Sequence, residues 1–539
     1  GRAAAGREAP RARGRRYTGV RAGGEAVIYL VGSGPGDPGL ITAKGLRLLE
    51  EADAVVYDRL APEALLRRAR PDAELFYVGK RPGDDQAMKQ EEINALLVRL
   101  GREGRRVVRL KGGDPYVFGR GGEEALALLR AGVPFEVVPG VTSGIAAPAY
   151  AGIPVTHRAL ASSVAFVTGH EDPSKGRTDV DWERVARGAD TLVLYMGVGR
   201  LGEIASSLVA AGRDPATPAA VIRWGTVPEQ RTVMGTLADI AQRVAEAGIR
   251  PPAVTVVGEV VRLREEGLAW YEARPLFGRR VVVTRARAQA GELSRRLEEL
   301  GAAVVEFPTI EIRPPRDFGP LDEAIRGLDS FDWLVFTSVN GVEAFLERLA
   351  SHGLDVRAIP RGARIAAIGP ATAGRVREAG LRVDVVPREY RAEALLEEIS
   401  GEPLRGRRVL IPRAARAREV LPERLREAGA EVSVPPAYET VPSAEGREEL
   451  ARGLQAGEVD CVTFTASSTV ENFVAAFGAR EAARLLAGTR VACIGPITAA
   501  AARERGLRVD VEAGEYTIEG LVRAVAGLFA ARAPQERVG

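Results

Sequence analysis

Arg109-Leu110-Lys111-Gly112-Gly113-Asp114-Pro115-Tyr116-Val117-Phe118-Gly119-Arg120-Gly121-Gly122-Glu123-Glu124 is the stretch on which the reading of this chain turns. It continues the short apolar run Val107-Val108-Arg109-Leu110 and leads into a helical-period segment, Gly122–Ala131. A strand that ends in glycines and hands over to a helix marks an α/β unit with its loop at the strand's carboxyl end. Paired glycines let backbone approach a ligand closely. Asp114 before Pro115 suits a turn on composition alone, and its carboxylate can equally accept hydrogen bonds from a ligand.

Outward from this block the same rhythm recurs. Ala26-Val27-Ile28-Tyr29-Leu30-Val31, Ala54-Val55-Val56-Tyr57 and Phe135-Glu136-Val137-Val138 are short apolar runs, and Glu91–Leu100 has helical period. The alternation predicts an α/β architecture with a largely parallel sheet. A second set follows Pro139-Gly140 and Gly152-Ile153-Pro154: Ala165–Thr168, Thr191–Tyr195 and Ala253–Val257. Residues 26–265 therefore read as two α/β subdomains, about 26–138 and 139–265, with a cleft between them. The first strand ends in Gly32-Ser33-Gly34-Pro35-Gly36-Asp37-Pro38-Gly39. Asp37 replaces the sixth-position glycine of a dinucleotide fingerprint and Pro35 removes a donor, which disfavours a phosphate-cradling turn.

Bulk properties limit the alternatives. The 539 residues exceed one ordinary core. A formal charge of +3 argues against a polyanion binder, so nucleic acid is not an expected partner. Two cysteines and three histidines exclude a disulfide framework, disfavour a zinc site and fit a reducing, cytoplasmic setting. No run of about eighteen apolar residues is present to span a membrane. Residues 1–25 are rich in arginine and have no apolar core, which points to a disordered extension and not a secretory signal.

Beyond a linker at 266–278, marked by Pro275 and Gly278, the chain repeats itself. Gly278-Arg279-Arg280-Val281-Val282-Val283 returns as Gly406-Arg407-Arg408-Val409-Leu410-Ile411. Asp332-Trp333-Leu334-Val335-Phe336-Thr337-Ser338 returns as Asp460-Cys461-Val462-Thr463-Phe464-Thr465-Ala466, and Ile368-Gly369-Pro370 as Ile494-Gly495-Pro496. One α/β pattern written twice predicts two similar parallel-sheet lobes. Pro314-Pro315 and Pro435-Pro436 mark places where the chain could cross between them. Lobe one is then about 279–312 plus 437–535 and lobe two about 313–436; consecutive lobes divided near residue 405 are the alternative.

Seven ordered motifs in the first half resemble the uroporphyrinogen-III C-methyltransferases of the tetrapyrrole methylase family. They are the Gly32–Gly39 turn, Val78-Gly79-Lys80-Arg81, the Arg109–Glu124 block, Val138-Pro139-Gly140-Val141-Thr142-Ser143, Gly152-Ile153-Pro154-Val155-Thr156-His157-Arg158, Phe166-Val167-Thr168-Gly169-His170 and Tyr195-Met196-Gly197. The resemblance implies S-adenosyl-L-methionine as methyl donor and S-adenosyl-L-homocysteine as product. It places the contacts on Pro35, Gly112, Gly113, Asp114, Val117, Thr142, Ser143, Met196 and Gly225. Methylating a pyrrole carbon leaves a cation that must lose a proton; the resemblance makes Asp58 the acceptor and Lys80 a donor. Taken singly, these two read as a strand-end cap and a surface lysine. The substrate's carboxylates call for arginines, with Arg81, Arg120 and Arg158 as candidates. Between Arg81 and Gln90 the stretch Pro82–Lys89 departs from the family's usual spacing and from its histidine.

The repeated half resembles uroporphyrinogen-III synthase over about residues 277–530. Val283-Thr284-Arg285-Ala286, Phe336–Gly341, Ala367–Ala373, Pro412-Arg413-Ala414 and Pro436-Ala437-Tyr438-Glu439-Thr440 carry that likeness. It implies metal-free closure of hydroxymethylbilane with inversion of the last ring and loss of water. Arg285, Ser338, Thr372 and Arg413 become candidate substrate contacts, and Tyr438 the residue assisting water loss, against a bland role packing a hinge. The two likenesses together imply a bifunctional enzyme that makes uroporphyrinogen III and methylates it at C2 and C7 to precorrin-2, toward sirohaem or cobalamin. They also imply a homodimer through the methylase half. A synthase-like module that only senses a ligand or scaffolds is the alternative, and a methylase acting on another carbon is a third reading; the short tail after Val522 leaves no room for a DNA-binding domain.

Overall fold

The computed structural model describes residues 27–79, 88–169, 180–285, 287–387, 392–399, 404–416, 419–443 and 446–530. The Arg-rich extension, Lys80 and Arg81 lie outside the described residues. The chain divides into two compact units, residues 1–279 with 300–303, and residues 280–299 with 304–539.

Two sheets build the first unit. The first comprises β1 (Ile28–Gly32), β2 (Ala54–Tyr57), β3 (Glu74–Tyr77), β4 (Val107–Lys111) and β5 (Phe135–Val138), in the order β3-β2-β4-β1-β5. Every pairing is parallel. Its central strands are apolar because helices cover both faces; Val55, Val56, Val107, Val108 and Leu110 are fully buried. Parallel strands bring all their carboxyl ends to one edge, where loops can converge on a ligand.

The second sheet departs from the parallel expectation. It comprises β6 (Val164–Thr168), β7 (Thr191–Tyr195), β8 (Pro218–Arg223), β9 (Arg231–Thr236) and β10 (Ala253–Val257), ordered β6-β7-β10-β8-β9. Among the described pairings only β6 with β7 is parallel. The hairpin of β8 and β9 escapes sequence reading because proline and two alanines open β8, and Gly235 interrupts β9. Residues 266–278, read as a linker, are folded onto this unit: Leu276 is fully buried and Tyr271 nearly so.

In the second unit the sequence repeat is a repeat of topology. Its strands are β11 (Arg280–Val283), β12 (Ala303–Glu306), β13 (Ile310–Arg313), β14 (Trp333–Phe336), β15 (Arg364–Ala367), β16 (Arg408–Leu410), β17 (Arg413–Ala414), β18 (Glu431–Ser433), β19 (Pro436–Pro442), β20 (Cys461–Phe464), β21 (Arg490–Cys493) and β22 (Val511–Glu512). One sheet runs β12-β11-β20-β21-β22 and the other β18-β16-β14-β15. The repeated segments therefore occupy matching places, β11 with β16, β20 with β14 and β21 with β15. Strands from both ends of the unit make the first sheet, and those between 333 and 433 make the second. Antiparallel β13 and β19, with the short β17 beside β19, form a third small sheet next to the double prolines.

Each large sheet carries an aromatic core. Phe473 meets Phe464 and Phe307 edge-to-face at 5.5 and 6.0 Å, and Phe336 meets Phe345 at 5.7 Å. All five rings are within 2% of complete burial. Phe473→Ala is expected to lower the unfolding free energy of the second unit by about 3–5 kcal/mol. Denaturant titration followed by circular dichroism measures this, and a loss under about 1 kcal/mol would contradict the packing described.

Candidate functional site

At the carboxyl edge of the first sheet, three loops touch backbone to backbone. Gly34 and Gly113 exchange two hydrogen bonds, of 3.2 and 2.7 Å. A Cβ on Gly32 would lie 2.5 Å from the Gly113 carbonyl oxygen, and one on Gly140 would lie 2.2 Å from it. Asp114 fastens the arrangement. One carboxylate oxygen accepts the N–H groups of Tyr116 (2.8 Å) and Val117 (3.2 Å), and the other accepts that of Gly140 (3.0 Å). A carboxylate has about four acceptor positions, so three are already used within the protein. Asp114 is thus a brace between loops.

The second subdomain joins at the same place. Tyr195, last in β7, shares a 2.7 Å hydrogen bond with the buried Thr142 hydroxyl and accepts the Gly144 N–H at 2.8 Å. Burial pushes its phenol up from the ordinary value, which keeps it neutral. These bonds anchor the start of the helix Ser143–Tyr150. Phe118 packs on the Tyr195 ring at 4.9 Å, and Val117 joins the cluster of Val193, Tyr195 and Val254. Met196 follows, half exposed. A cavity of about 760 Å³ opens beside them, lined by Tyr116, Phe118, Arg120, Glu123, Leu126 and Met196 among others.

Backbone strain is concentrated here. Among the described residues, the non-glycine positions with left-handed φ are Phe118 (51°), Arg120 (58°), Met196 (56°), Trp224 (48°) and Thr226 (76°). Each costs about 1–3 kcal/mol, and such residues collect where backbone is held for a ligand. Gly225 sits between the last two, and a Cβ there would meet that of Ala147 at 2.3 Å. Close glycine backbone from Gly32 to Gly36, Gly112 and Gly113, the thioether of Met196 and the apolar Val117 and Phe118 suit an S-adenosyl sulfonium compound. Pro35, half-buried, lies on the first of these loops.

Asp58 stands just beyond β2 on the same edge. One of its oxygens accepts the Leu60 N–H at 3.0 Å, the local turn expected of a strand-end aspartate. The other pairs with Arg109 at 3.2 Å. Beneath it lies a buried ionic set that sequence reasoning quoted only as motif. A single Glu124 oxygen accepts from Arg109 Nε (3.2 Å), Lys111 Nζ (2.9 Å) and Gln90 Nε2 (3.4 Å). Arg109, Lys111 and Glu124 are almost wholly excluded from solvent. Two cations and two carboxylates balance. Burial first, and the Arg109 charge second, pull Lys111 below the usual lysine range, with Glu124 acting against them. The available signal was charge alternating into an apolar strand, Val-Val-Arg-Leu-Lys, where solvent cannot reach.

The other predicted residues are placed as follows. Arg120 lines the cavity but pairs with Glu123 at 2.8 and 2.7 Å. Arg158 is exposed, on the turn closed by His157 and Ala161. In the second unit, Ser338 Oγ and the buried Tyr438 hydroxyl lie 3.0 Å apart, joining a helix start to the crossing strand β19. Ser338 also accepts the Gly341 N–H at 3.0 Å, capping the helix Val339–Ser351. Thr372 is buried in the first turn of the helix Pro370–Glu378. Arg413 is buried and paired with Glu419. Arg285 is half-buried, and desolvation pulls its guanidinium below the usual range. Among the described residues no group of three or more His, Cys, Asp or Glu is placed to hold a metal ion, and no helix is long and apolar enough to cross a membrane.

Comparison with known proteins covers both units. Residues 27–241 match the family model of tetrapyrrole (corrin/porphyrin) methylases, and residues 291–523 that of uroporphyrinogen-III synthase HemD. A porphyrin biosynthesis protein HemD of Ruminiclostridium josui is 38% identical over 495 residues, 92% of this chain and 96% of its own length. A uroporphyrinogen-III C-methyltransferase of Priestia megaterium is 54% identical over 43% of this chain and 98% of its own. An S-adenosyl-L-methionine-dependent uroporphyrinogen III methyltransferase of Methanosarcina barkeri is 54% identical over 44% of this chain and 93% of its own.

The ionic set makes its own prediction. Glu124→Ala leaves Arg109 and Lys111 buried without their shared counter-charge, and is expected to destabilise the first unit by about 3–5 kcal/mol. Chemical denaturation measures it; a change near zero would mean that water reaches these groups.

Proposed function

This chain belongs to the tetrapyrrole-biosynthesis family that joins a methylase to a HemD-type synthase, and from that premise we propose that it closes hydroxymethylbilane to uroporphyrinogen III and then methylates that product at C2 and C7 to precorrin-2. One observation carries the methyl-transfer half. Asp58, braced by Arg109, stands on the same sheet edge as the glycine loops of Gly32, Gly113 and Gly140.

S-adenosylmethionine, when bound, supplies an electrophilic methyl group to a pyrrole carbon. Pro35, Gly112, Gly113, Asp114, Val117, Thr142, Ser143, Met196 and Gly225 hold it. Asp58 takes the ring proton, and the Arg109 guanidinium orients its carboxylate. Lys80 is the proposed donor. Arg81, Arg120 and Arg158 bind substrate carboxylates, which for Arg120 means exchanging Glu123 for the ligand. In the second unit Tyr438 assists departure of the hydroxyl, with Ser338 setting the direction of the phenol. Arg285, Ser338, Thr372 and Arg413 bind carboxylates there, aided by the free N–H groups at the starts of the helices at 339 and 370. The protein is proposed to act in the cytoplasm as a homodimer assembled through its methylase half.

A second reading has one observation in its favour. Arg413 is already paired with Glu419, and Ser338 already caps its own helix, as expected if the synthase-like unit only senses a ligand or scaffolds. Incubating the full chain with hydroxymethylbilane separates the two. Without S-adenosylmethionine the expected product is uroporphyrinogen III, and with it the dimethylated product. Formation of the non-inverted isomer alone sinks the synthase assignment, and unmethylated uroporphyrinogen III in the presence of donor sinks the methylase.

Two substitutions sharpen the roles. Asp58→Asn is expected to lower methyl-transfer kcat by about 10²–10⁴-fold while S-adenosylhomocysteine binding stays within about twofold. Tyr438→Phe is expected to slow ring closure at least about tenfold and leave methylation of supplied uroporphyrinogen III unchanged.

A further inference from the structure

Thr226 holds an improbable conformation: a β-branched residue at φ 76°, two positions after Trp224 at φ 48°. Such a turn persists only if its neighbours over-determine it. All three polar groups of Thr226 are engaged. Its N–H donates to Gln230 Oε1 (2.9 Å), its carbonyl accepts from the Tyr271 hydroxyl (3.3 Å), and its own hydroxyl accepts the Asp37 N–H (3.0 Å). Thr226, Gln230 and Tyr271 are 2, 3 and 5% exposed, so water cannot substitute for these partners.

Two of the three bonds trace to residues 264–277. Tyr271 makes one directly. Glu272 controls another through Gln230: one carboxylate oxygen accepts Gln230 Nε2 (2.8 Å) and the Thr232 hydroxyl (2.7 Å). Its other oxygen pairs with Arg264, which also donates to the Ala151 carbonyl. The same segment reaches the helix Ser143–Tyr150. Trp270 Nε1 donates to the Ala149 carbonyl at 2.9 Å, and the Tyr150 ring meets those of Trp270 and Tyr271 at 5.1 and 4.8 Å. The Tyr150 hydroxyl in turn donates to Asp37 at 2.6 Å. Burial, then that bond, pushes its phenol well up, so it stays a donor. Arg274 stacks over Trp270 and Tyr271 at 4.8 and 4.9 Å.

We infer that residues 264–277 are a built part of the methyl-donor site, in which Glu272 and Tyr271 are positioning residues that hold the strained Trp224–Thr226 turn, and with it Gly225 and the Asp37 loop, against the helix Ser143–Tyr150. The inference rests on the assignment of Pro35, Thr142, Ser143 and Gly225 to donor contacts. Neither Glu272 nor Tyr271 reaches the donor itself; each acts through Thr226, Gln230 and Asp37. Truncating Glu272 frees the Gln230 amide, leaves the buried Thr226 N–H without a fixed acceptor, and lets the turn relax. Because Gly225 would contact the donor before and during transfer alike, the loss falls on binding and not on the chemical step.

The test uses the full chain with S-adenosylhomocysteine as calorimetric probe and with methyl-transfer kinetics. Glu272→Ala is expected to raise both the Kd for S-adenosylhomocysteine and the KM for S-adenosylmethionine about tenfold, with kcat within about twofold. Glu272→Gln should recover most of the affinity, since an amide oxygen still accepts from Gln230 and Thr232. Tyr271→Phe, which removes one hydroxyl, should weaken binding about threefold; it carries the test if Glu272→Ala does not fold. Wild-type Kd in the folded variants, or a fall in kcat or in active fraction with KM unchanged, overturns the inference. Failure of the unmodified chain to bind S-adenosylhomocysteine overturns instead the assignment on which it rests.

Discussion

The first unit depends on a contact in which no side chain takes part: the meeting of Gly32, Gly113 and Gly140 at the carboxyl edge of a parallel sheet. Loops leaving β1, β4 and β5 share that edge but have no intrinsic reason to touch. Glycine lets them approach to distances that a single methyl group would forbid, and Asp114 then ties two of them together through backbone N–H groups. The rest of the edge inherits its position from this contact. Thr142 starts its helix where the Tyr195 hydroxyl can bond it, and Phe118 lies where it can cover the Tyr195 ring. The second subdomain is therefore registered on the first at the place where ligand contacts are expected.

Charge works beneath that edge in a similar way. Burying Arg109, Lys111 and Glu124 is costly unless they compensate one another, and the set closes only when Asp58 is counted at its rim. A candidate proton acceptor is thus held by the requirement that a buried cation be paired. In the second unit the two similar sheets differ at the turns that follow the matching strands β14 and β20. Ser338, whose Oγ lies 3.0 Å from the Tyr438 hydroxyl, has Ala466, which carries no hydroxyl, as its counterpart in the repeat. The asymmetry falls beside strand β19.

The parts legible in the sequence were those written in local chemistry. The strands of the first sheet stand out because a strand buried on both faces must be apolar along its length. The duplicated strands of the second unit stand out because copying preserves order and spacing. The hairpin Pro218–Thr236 was not legible: proline, alanine and glycine mask its pattern, and only pairing with β10 reveals it. The residues 264–278 carry proline and glycine like a linker, yet Tyr271 and Leu276 are buried in the first unit and the Trp270 indole donates to the Ala149 carbonyl.

Composition, periodicity and the repeat by themselves determined the α/β class and the two-part organisation, because these follow from near neighbours and copied order along the chain, while the candidate site residues were named through the ordered motifs' resemblance to known families. Tertiary structure alone decided what those residues are attached to. The left-handed conformations of Phe118, Met196, Trp224 and Thr226 carry no sequence signal, since their side chains oppose the backbone they adopt. Asp114 proved to be a brace, Arg413 a partner of Glu419, and Arg109 the support of Asp58, because hydrogen bonding and charge compensation act across distances in space that residue order does not encode.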